Sequence, residues 1–231
     1  MKEKLEILLT ELNSVYESSD IKKYCIEKKK KWGCSLIESS LLENKPLIIG
    51  FNWGVDKKWI PYQKGIEYQN QTKIEKRDNI TEYKGFVKKM MNSFRKYFPK
   101  NEFPQFDFER ASHSNFCFFR SERECQISEK DIRLCTPIFE KMIAIIKPNI
   151  IFCFSGKARK YLLDNNMIKN KTERNIKSAT NEKSKNCTVA IGLYNEIPIF
   201  CLPHSSYRLT KETRDKAWKF AAENAMFYQT S

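Results

Sequence analysis

The sequence predicts an α/β fold, a three-layer α/β/α arrangement with a mainly parallel central sheet, as a single domain over residues 1–231. Three observations predict it. Short apolar runs at 46–49, 150–154 and 197–202 have the length and composition of buried strands. Segments between them place apolar residues at helical spacing. Strands that alternate with helices and are apolar throughout belong to parallel sheets covered on both faces, and 231 residues suffice for one sizeable core.

Each element has its own signal. Leu5, Leu8, Leu9, Leu12, Val15 and Tyr16 share one face, so a helix over 3–18 packs against the body. The run Lys28 to Lys31 follows; such runs are usually solvated, and beside DNA they contact phosphate. Pro46 to Ile49 forms the first strand, ended by a glycine turn. The chain is then polar and irregular as far as Thr81, with Trp59, Pro61 and Tyr62 as its apolar points. A loop that long is uncommon unless it is functional or disordered. Residues 81–97 read as a helix with Phe86, Met90, Met91 and Phe94 on one side, stopped by Pro99.

Further along, Ser128 with Asp131 forms an N-cap signal for a helix whose apolar face runs from Ile132 to Ile146, and Lys147-Pro148 ends it. The strand at 150–154 turns through Ser155-Gly156 into another helix that reaches about residue 166. Residues 169–186 carry almost no apolar anchor and read as a mobile surface loop. Strand character returns at 188–193 and, after a turn at Asn195-Glu196, at 197–202. Thr210 caps a last helix over 211–228, which buries Trp218, Ala221, Ala222 and Phe227.

Lys and Arg total 42 against 28 Asp and Glu, a formal net charge of +14. Such an excess favours a polyanionic partner, because each phosphate neutralised releases condensed counterions. A lysine-rich proteome gives the same composition. No stretch has the roughly 18–20 apolar residues of a membrane span, and the start lacks the apolar core of a signal peptide, so a cytoplasmic protein is expected. The eight cysteines include no Cys-x-x-Cys pair and are expected to remain thiols.

Three motifs carry the chemistry. Gly50-Phe51-Asn52-Trp53-Gly54 leaves the first strand and puts Asn52 at the carboxyl edge of the sheet. Ser114-Asn115-Phe116-Cys117-Phe118 holds one polar hook, Asn115, in an aromatic wall. Pro203-His204-Ser205-Ser206-Tyr207-Arg208 leaves the strand at 197–202 with one of the chain's two histidines. Each alone has an ordinary explanation: turn glycines, a turn-capping asparagine, a core histidine. All three fall beyond or near the carboxyl ends of strands, where open α/β sheets bind ligands.

In order and spacing these motifs resemble the uracil-DNA glycosylase superfamily, most closely its single-strand-selective monofunctional branch. That branch pairs a Gly-Met-Asn-Pro-Gly turn with Asn-Leu-Cys-Pro and a late His-Pro-Ser-Pro-Arg loop. Pro61-Tyr62 matches a Pro-aromatic pair after the first motif, and the likeness extends from about Pro46 to the end. Trp53 and Ser205 stand where the family has proline, and the connection from Asn52 to Tyr62 is shorter. A changed pocket and a lost activity both fit those departures.

The resemblance implies a monomeric enzyme without a cofactor that acts on single- or double-stranded DNA. Asn52 would hold the attacking water, with Asp56 as a substitute base, and His204 would donate to the base oxygen as charge develops there. Phe51 or Tyr62 would stack on the extruded base and Asn115 would pair with it, in a pocket shaped by Gly50, Trp53 and Gly54. Ser205, Ser206, Tyr207, Arg208 and Leu209 would contact DNA, the last three filling the vacated space. No lysine lies in a Schiff-base motif, which implies a monofunctional reaction that ends at an abasic site.

Uracil and 5-hydroxymethyluracil are the family's default substrates. A bulky modified pyrimidine such as a modified cytosine of phage or other foreign DNA is an alternative. So is a non-catalytic DNA-binding module on the same fold, and a small-molecule nucleotide hydrolase is a third class that the basic charge disfavours. Other branches carry a four-cysteine iron-sulfur cluster, and Cys25, Cys34, Cys117 and Cys135 invite that comparison. Their spacing does not support it.

Overall fold

In the computed structural model the residues described are 1–36, 42–54, 85–178, 186–204, 207 and 209–225. They form helices α1 (Lys2–Glu17), α2 (Asp20–Glu27), α3 (Gly85–Tyr97), α4 (Glu129–Ile146), α5 (Gly156–Asp164) and α6 (Lys211–Ala225). The strands are β1 (Leu47–Gly50), β2 (Trp53–Gly54), β3 (Ser112–Asn115), β4 (Arg120–Ser121), β5 (Ile151–Cys153), β6 (Lys169–Ile176), β7 (Cys187–Tyr194) and β8 (Ile197–Cys201). Six of them make one mostly parallel sheet in the order β3-β1-β5-β8-β7-β6, while β2 and β4 pair in a separate parallel ribbon. This is the three-layer α/β/α fold that the alternation of elements predicts.

The described residues divide into two compact units, one within Met1–Asn44, Ile49–Glu75 and Ser112–Lys147, the other within Lys45–Ile48, Lys76–Ala111 and Pro148–Ser231. In the first, α1 buries Leu5, Leu8, Leu12 and Tyr16, the face its spacing predicts, and packs on α4. The Tyr16 hydroxyl donates to the carbonyl of Trp32 at 2.6 Å, so this fully buried side chain keeps a polar partner. Helix α4 opens with the capping box expected at Ser128 and Asp131, and Lys147 closes it in the left-handed region at φ 44°. Asp131 also reaches α2: its Oδ1 accepts from the backbone N–H of Asp20 at 2.9 Å and of Ile21 at 3.3 Å, while Oδ2 accepts from Ser128 at 2.9 Å. One fully buried carboxylate thus satisfies orphan amides at the starts of two helices.

The second unit is built on aromatic rings. Phe152 and Phe200 are register partners on the parallel strands β5 and β8, with rings 5.3 Å apart. Phe94 of α3 stands edge-on to Phe152 at 4.8 Å and to Trp218 of α6 at 5.1 Å. Edge-to-face pairs of this kind add about 0.5–1.5 kcal/mol each beyond their buried area. Ser155 caps α5 by accepting from the N–H of Ala158, and Thr210 caps α6 by accepting from Thr213 at 3.1 Å.

Besides the short ribbon of β2 and β4, to which the sequence reading assigns no strands, two elements depart from what the sequence predicts. Helix α2 occupies a stretch with no assigned element; it buries only Ile21 and Cys25, too few to show a period. Residues 169–176, expected in a mobile loop, form strand β6, antiparallel to β7 from Lys169↔Leu193 to Ile176↔Cys187. Every residue of β6 except Ile176 is exposed, so backbone pairing rather than an apolar face defines it, and no hydrophobic alternation marks it. Its close approach at one end depends on Gly192, where a Cβ would lie 2.5 Å from the Lys169 carbonyl oxygen.

Replacing Asp131 with Ala leaves the amides of Asp20, Ile21 and Ser128 without their acceptor. Each buried donor left unpaired costs about 1–3 kcal/mol. The variant should lose at least about 2 kcal/mol in denaturant unfolding, with Asp131→Asn recovering part of it.

Candidate active site

The first unit organises two of the predicted site residues around the end of β1. The N–H of Phe116 donates to the Gly50 carbonyl at 3.1 Å and that of Cys117 to the Phe51 carbonyl at 2.7 Å, so backbone bonding continues beyond β3. Gly50 is needed for a close approach: a Cβ there would lie 2.4 Å from Oδ1 of Asn115. The bare α-carbon gives the Asn115 side chain its room. Asn115 is 6% exposed, and its amide has no hydrogen-bond partner among the described residues. Buried polar groups are ordinarily bonded, so an amide in this position has capacity left for a partner. Phe51 is buried at 3% exposure, whereas among the described residues nothing lies within 4 Å of a Cβ added at Gly54.

Asn52 is held by residues that no sequence motif selects. Its Nδ2 donates to Ser121 Oγ at 2.8 Å and to the Phe119 carbonyl at 3.4 Å. The Ser121 hydroxyl donates in turn to the Arg123 carbonyl at 2.9 Å, so it can only accept from Asn52. The amide orientation follows: nitrogen toward 119–121, and the acceptor oxygen directed away from that segment. Trp53 and Gly54 run parallel to Arg120 and Ser121, and Arg120, itself 6% exposed, donates to the Gly54 carbonyl at 3.3 Å and to Ser35 Oγ at 3.0 Å. Arg120 and Ser121 therefore shape the turn that presents Asn52. A buried arginine reads in sequence as one more surface charge, so nothing in the chain's spacing marks it.

His204 belongs to the second unit. Strand β8 ends at Cys201, and Leu202, whose N–H donates to the Cys153 carbonyl at 2.9 Å, leads through Pro203 to His204. The His204 carbonyl accepts from Tyr207 N–H at 2.9 Å. The imidazole is half-buried, and burial holds its pKa below the ordinary value. At neutral pH it is therefore an uncharged ring, able to donate through one nitrogen. Tyr207 is 41% exposed, while Leu209 packs against the apolar core of this unit. Asp56, Tyr62, Ser205, Ser206 and Arg208 lie outside the described residues, as does the side chain of Trp53.

The cysteines do not fit an iron-sulfur cluster. Cys117 Sγ lies 3.7 Å from Cys135 Sγ, but Cys34 contacts Asn13 Oδ1 and Cys25 contacts the Tyr16 hydroxyl. Burial, reinforced by the neighbouring Cys117, pushes the Cys135 thiol well up. Among the described residues no three His, Cys, Asp or Glu side chains are grouped to hold a metal. Cys153 and Cys201 are buried partners across β5 and β8, as their strand assignment implies. In the lysine run, Lys28 pairs with Glu27 at 2.6 Å and Lys30 with Glu122 at 3.0 Å.

Because the folded pKa of His204 lies below its unfolded value of about 6.5, the folded state binds fewer protons there than the unfolded chain does. Its contribution to stability is complete above pH ~6.5 and is lost as pH falls through the folded pKa. An NMR titration of the imidazole should therefore give a midpoint below 6.5; a midpoint at or above it contradicts the burial described. Separately, Gly50→Ala should displace the Asn115 side chain and lower stability by about 1–3 kcal/mol through local overpacking, whereas Gly54→Ala should be tolerated.

Each unit thus presents, next to a strand end, a group that can read or polarise a heterocyclic base: the Asn115 amide in the first and the neutral His204 imidazole in the second. No curated protein matches the chain. The family model described as Uracil DNA glycosylase superfamily matches residues 78–227, a span that contains Asn115 and His204 and begins after the Gly50–Gly54 turn. That match covers more than half of the sequence and agrees with the fold, and the chain belongs to the uracil DNA glycosylase superfamily, whose members are DNA glycosylases.

Proposed function

We propose that this protein is a monofunctional DNA glycosylase that extrudes a uracil-type pyrimidine and hydrolyses its N-glycosidic bond, akin to the single-strand-selective monofunctional branch. The observation that carries the reading is the nearly buried Asn115 amide without a partner among the described residues, in the room left by Gly50. An amide both donates and accepts, which matches the O4 and N3–H of uracil. Cysteines that are buried and outside any disulfide, as seven of the eight are, suit action in a reducing compartment, the cytoplasm being the one we propose.

Hydrolysis builds positive charge on the sugar and negative charge on the departing base. Asn52, positioned by its bonds to Ser121 and the Phe119 carbonyl, orients the attacking water; as the C–O bond forms and the C–N bond breaks, the proton the water releases passes to the departing base anion or to solvent. His204, neutral for the reason given above, donates a hydrogen bond through its one ring N–H to the base oxygen as charge develops there, a stabilisation of the oxyanion type. Tyr207, the exposed aromatic of its loop, fills the space the base vacates; Leu209 is already engaged with the core.

The direct test is to incubate the protein with single- and double-stranded DNAs carrying uracil, 5-hydroxymethyluracil or a C5-modified cytosine, and to measure released base and alkali-labile sites. Release from none of them overturns the proposal in favour of a DNA-binding module. Asn52→Ala should lower the single-turnover rate by about 10²-fold, and His204→Ala by about 10²–10³-fold, with DNA affinity largely retained in both. Asn115→Asp exchanges a donor for an acceptor at the pairing edge. It should cost about 1–3 kcal/mol on uracil, roughly a 5- to 150-fold slower release, and less on a modified cytosine, whose amino group the carboxylate can accept from.

A further inference from the structure

A groove of about 440 Å³ runs between β6 and α6, lined by Arg174 and Lys177 at the end of the strand and Lys216, Lys219, Phe220 and Glu223 on the helix. Four cations thus face one carboxylate. Lys216 is matched by Glu212 at 2.6 Å and Lys219 loosely by Glu223 at 3.8 Å, but Arg174 and Lys177 have no ion pair among the described residues. The Arg174 guanidinium lies over the ring of Phe220 at 5.4 Å, and Phe220 is only 9% exposed. A fixed ring beneath the guanidinium limits its motion and leaves the N–H fork for an anion, the arrangement suited to phosphate.

The position of the groove is informative. Strand β7 runs antiparallel to β8 with Ala190 opposite Cys201, and antiparallel to β6 with Val189 opposite Arg174 and Cys187 opposite Ile176. The end of β6 therefore lies at the same end of the sheet from which β8 delivers His204. Two interstrand spacings separate β8 from β6, roughly 10 Å, or about three base-pair steps of duplex rise.

We propose that this groove holds a phosphodiester of the DNA strand flanking the extruded nucleotide, with Arg174 and Lys177 as its ligands. The inference rests on the glycosylase reading for its choice of polyanion. It extends the DNA surface beyond the loops that carry the motifs, out to the edge strand of the sheet. The exposed residues of β6, which bury nothing, then have a use beyond shielding a sheet edge from other strands.

The test uses Arg174→Glu/Lys177→Glu in the full-length protein, both sites being exposed, and the charge-conserving Arg174→Lys/Lys177→Arg. Affinity for a single-stranded 20-mer with a central 2′-fluoro-2′-deoxyuridine, and for a trimer of the same centre, is measured across salt concentrations. Excision is measured separately on the matching uracil 20-mer at saturation. The proposal expects the Glu variant to bind the 20-mer at least about tenfold more weakly, with a log-log salt slope shallower by about 0.7 for each phosphate no longer neutralised. Trimer affinity and the saturated excision rate should be unchanged, and the Lys/Arg variant should bind the 20-mer like wild type. Equal 20-mer affinity and slope in wild type and Glu variant overturns it, as does a loss of excision at saturation with an unchanged slope. Salt-sensitive binding that the Glu variant loses, in a wild type that excises no base, supports the groove and defeats the glycosylase reading instead. No binding of DNA by the wild type overturns both.

Discussion

The site rests on a close approach that only glycine permits. Oδ1 of Asn115 occupies the space in which a side chain at position 50 would stand, 2.4 Å from the Cβ that Gly50 lacks. Backbone bonds from Phe116 and Cys117 to Gly50 and Phe51 hold the two strand ends together, so the amide is brought to a nearly buried position by main-chain geometry. One strand end makes room and the other supplies the amide. The Asn52 turn follows within two residues, oriented through Ser121 and Arg120. The buried arginine and serine hold the turn that carries Asn52.

In the second unit the same economy appears in another form. Phe152 and Phe200 stack across β5 and β8 beneath the rings of Phe94 and Trp218, which makes the ends of those strands rigid points of departure. Ser155 starts a helix from one and His204 leaves the other. Rigid strand ends that present polar groups on short loops are how open α/β sheets build ligand sites in general. Half-burial of His204 keeps its ring neutral at neutral pH.

Much of this was legible in the sequence because burial leaves a periodic trace. The face of α1, the capping box of α4 and the apolar strands β5, β7 and β8 could all be read from residue spacing. Asn52, Asn115 and His204 were legible as polar residues at the ends of apolar runs. Strand β6 was not, because an exposed edge strand is defined by hydrogen bonds to its neighbour, and Lys, Asn, Thr and Glu there look like loop. Ser121 and Arg120 were not, because their roles depend on a parallel pairing between segments more than sixty residues apart. Glycine at position 50 was legible as part of the turn that shapes the pocket, but the room it leaves for the Asn115 side chain was not, because that depends on a neighbouring strand end.

The central claim is that the Asn115 amide receives the base. It is tested most directly by following the side-chain amide resonances of Asn115 in ¹⁵N-labelled protein while single-stranded DNA containing 2′-fluoro-2′-deoxyuridine, which resists hydrolysis, is added. The account predicts that these resonances shift on binding and become protected from solvent exchange, with smaller effects when the same DNA carries thymidine at that position. Saturable DNA binding that leaves the Asn115 amide unshifted and unprotected would contradict it.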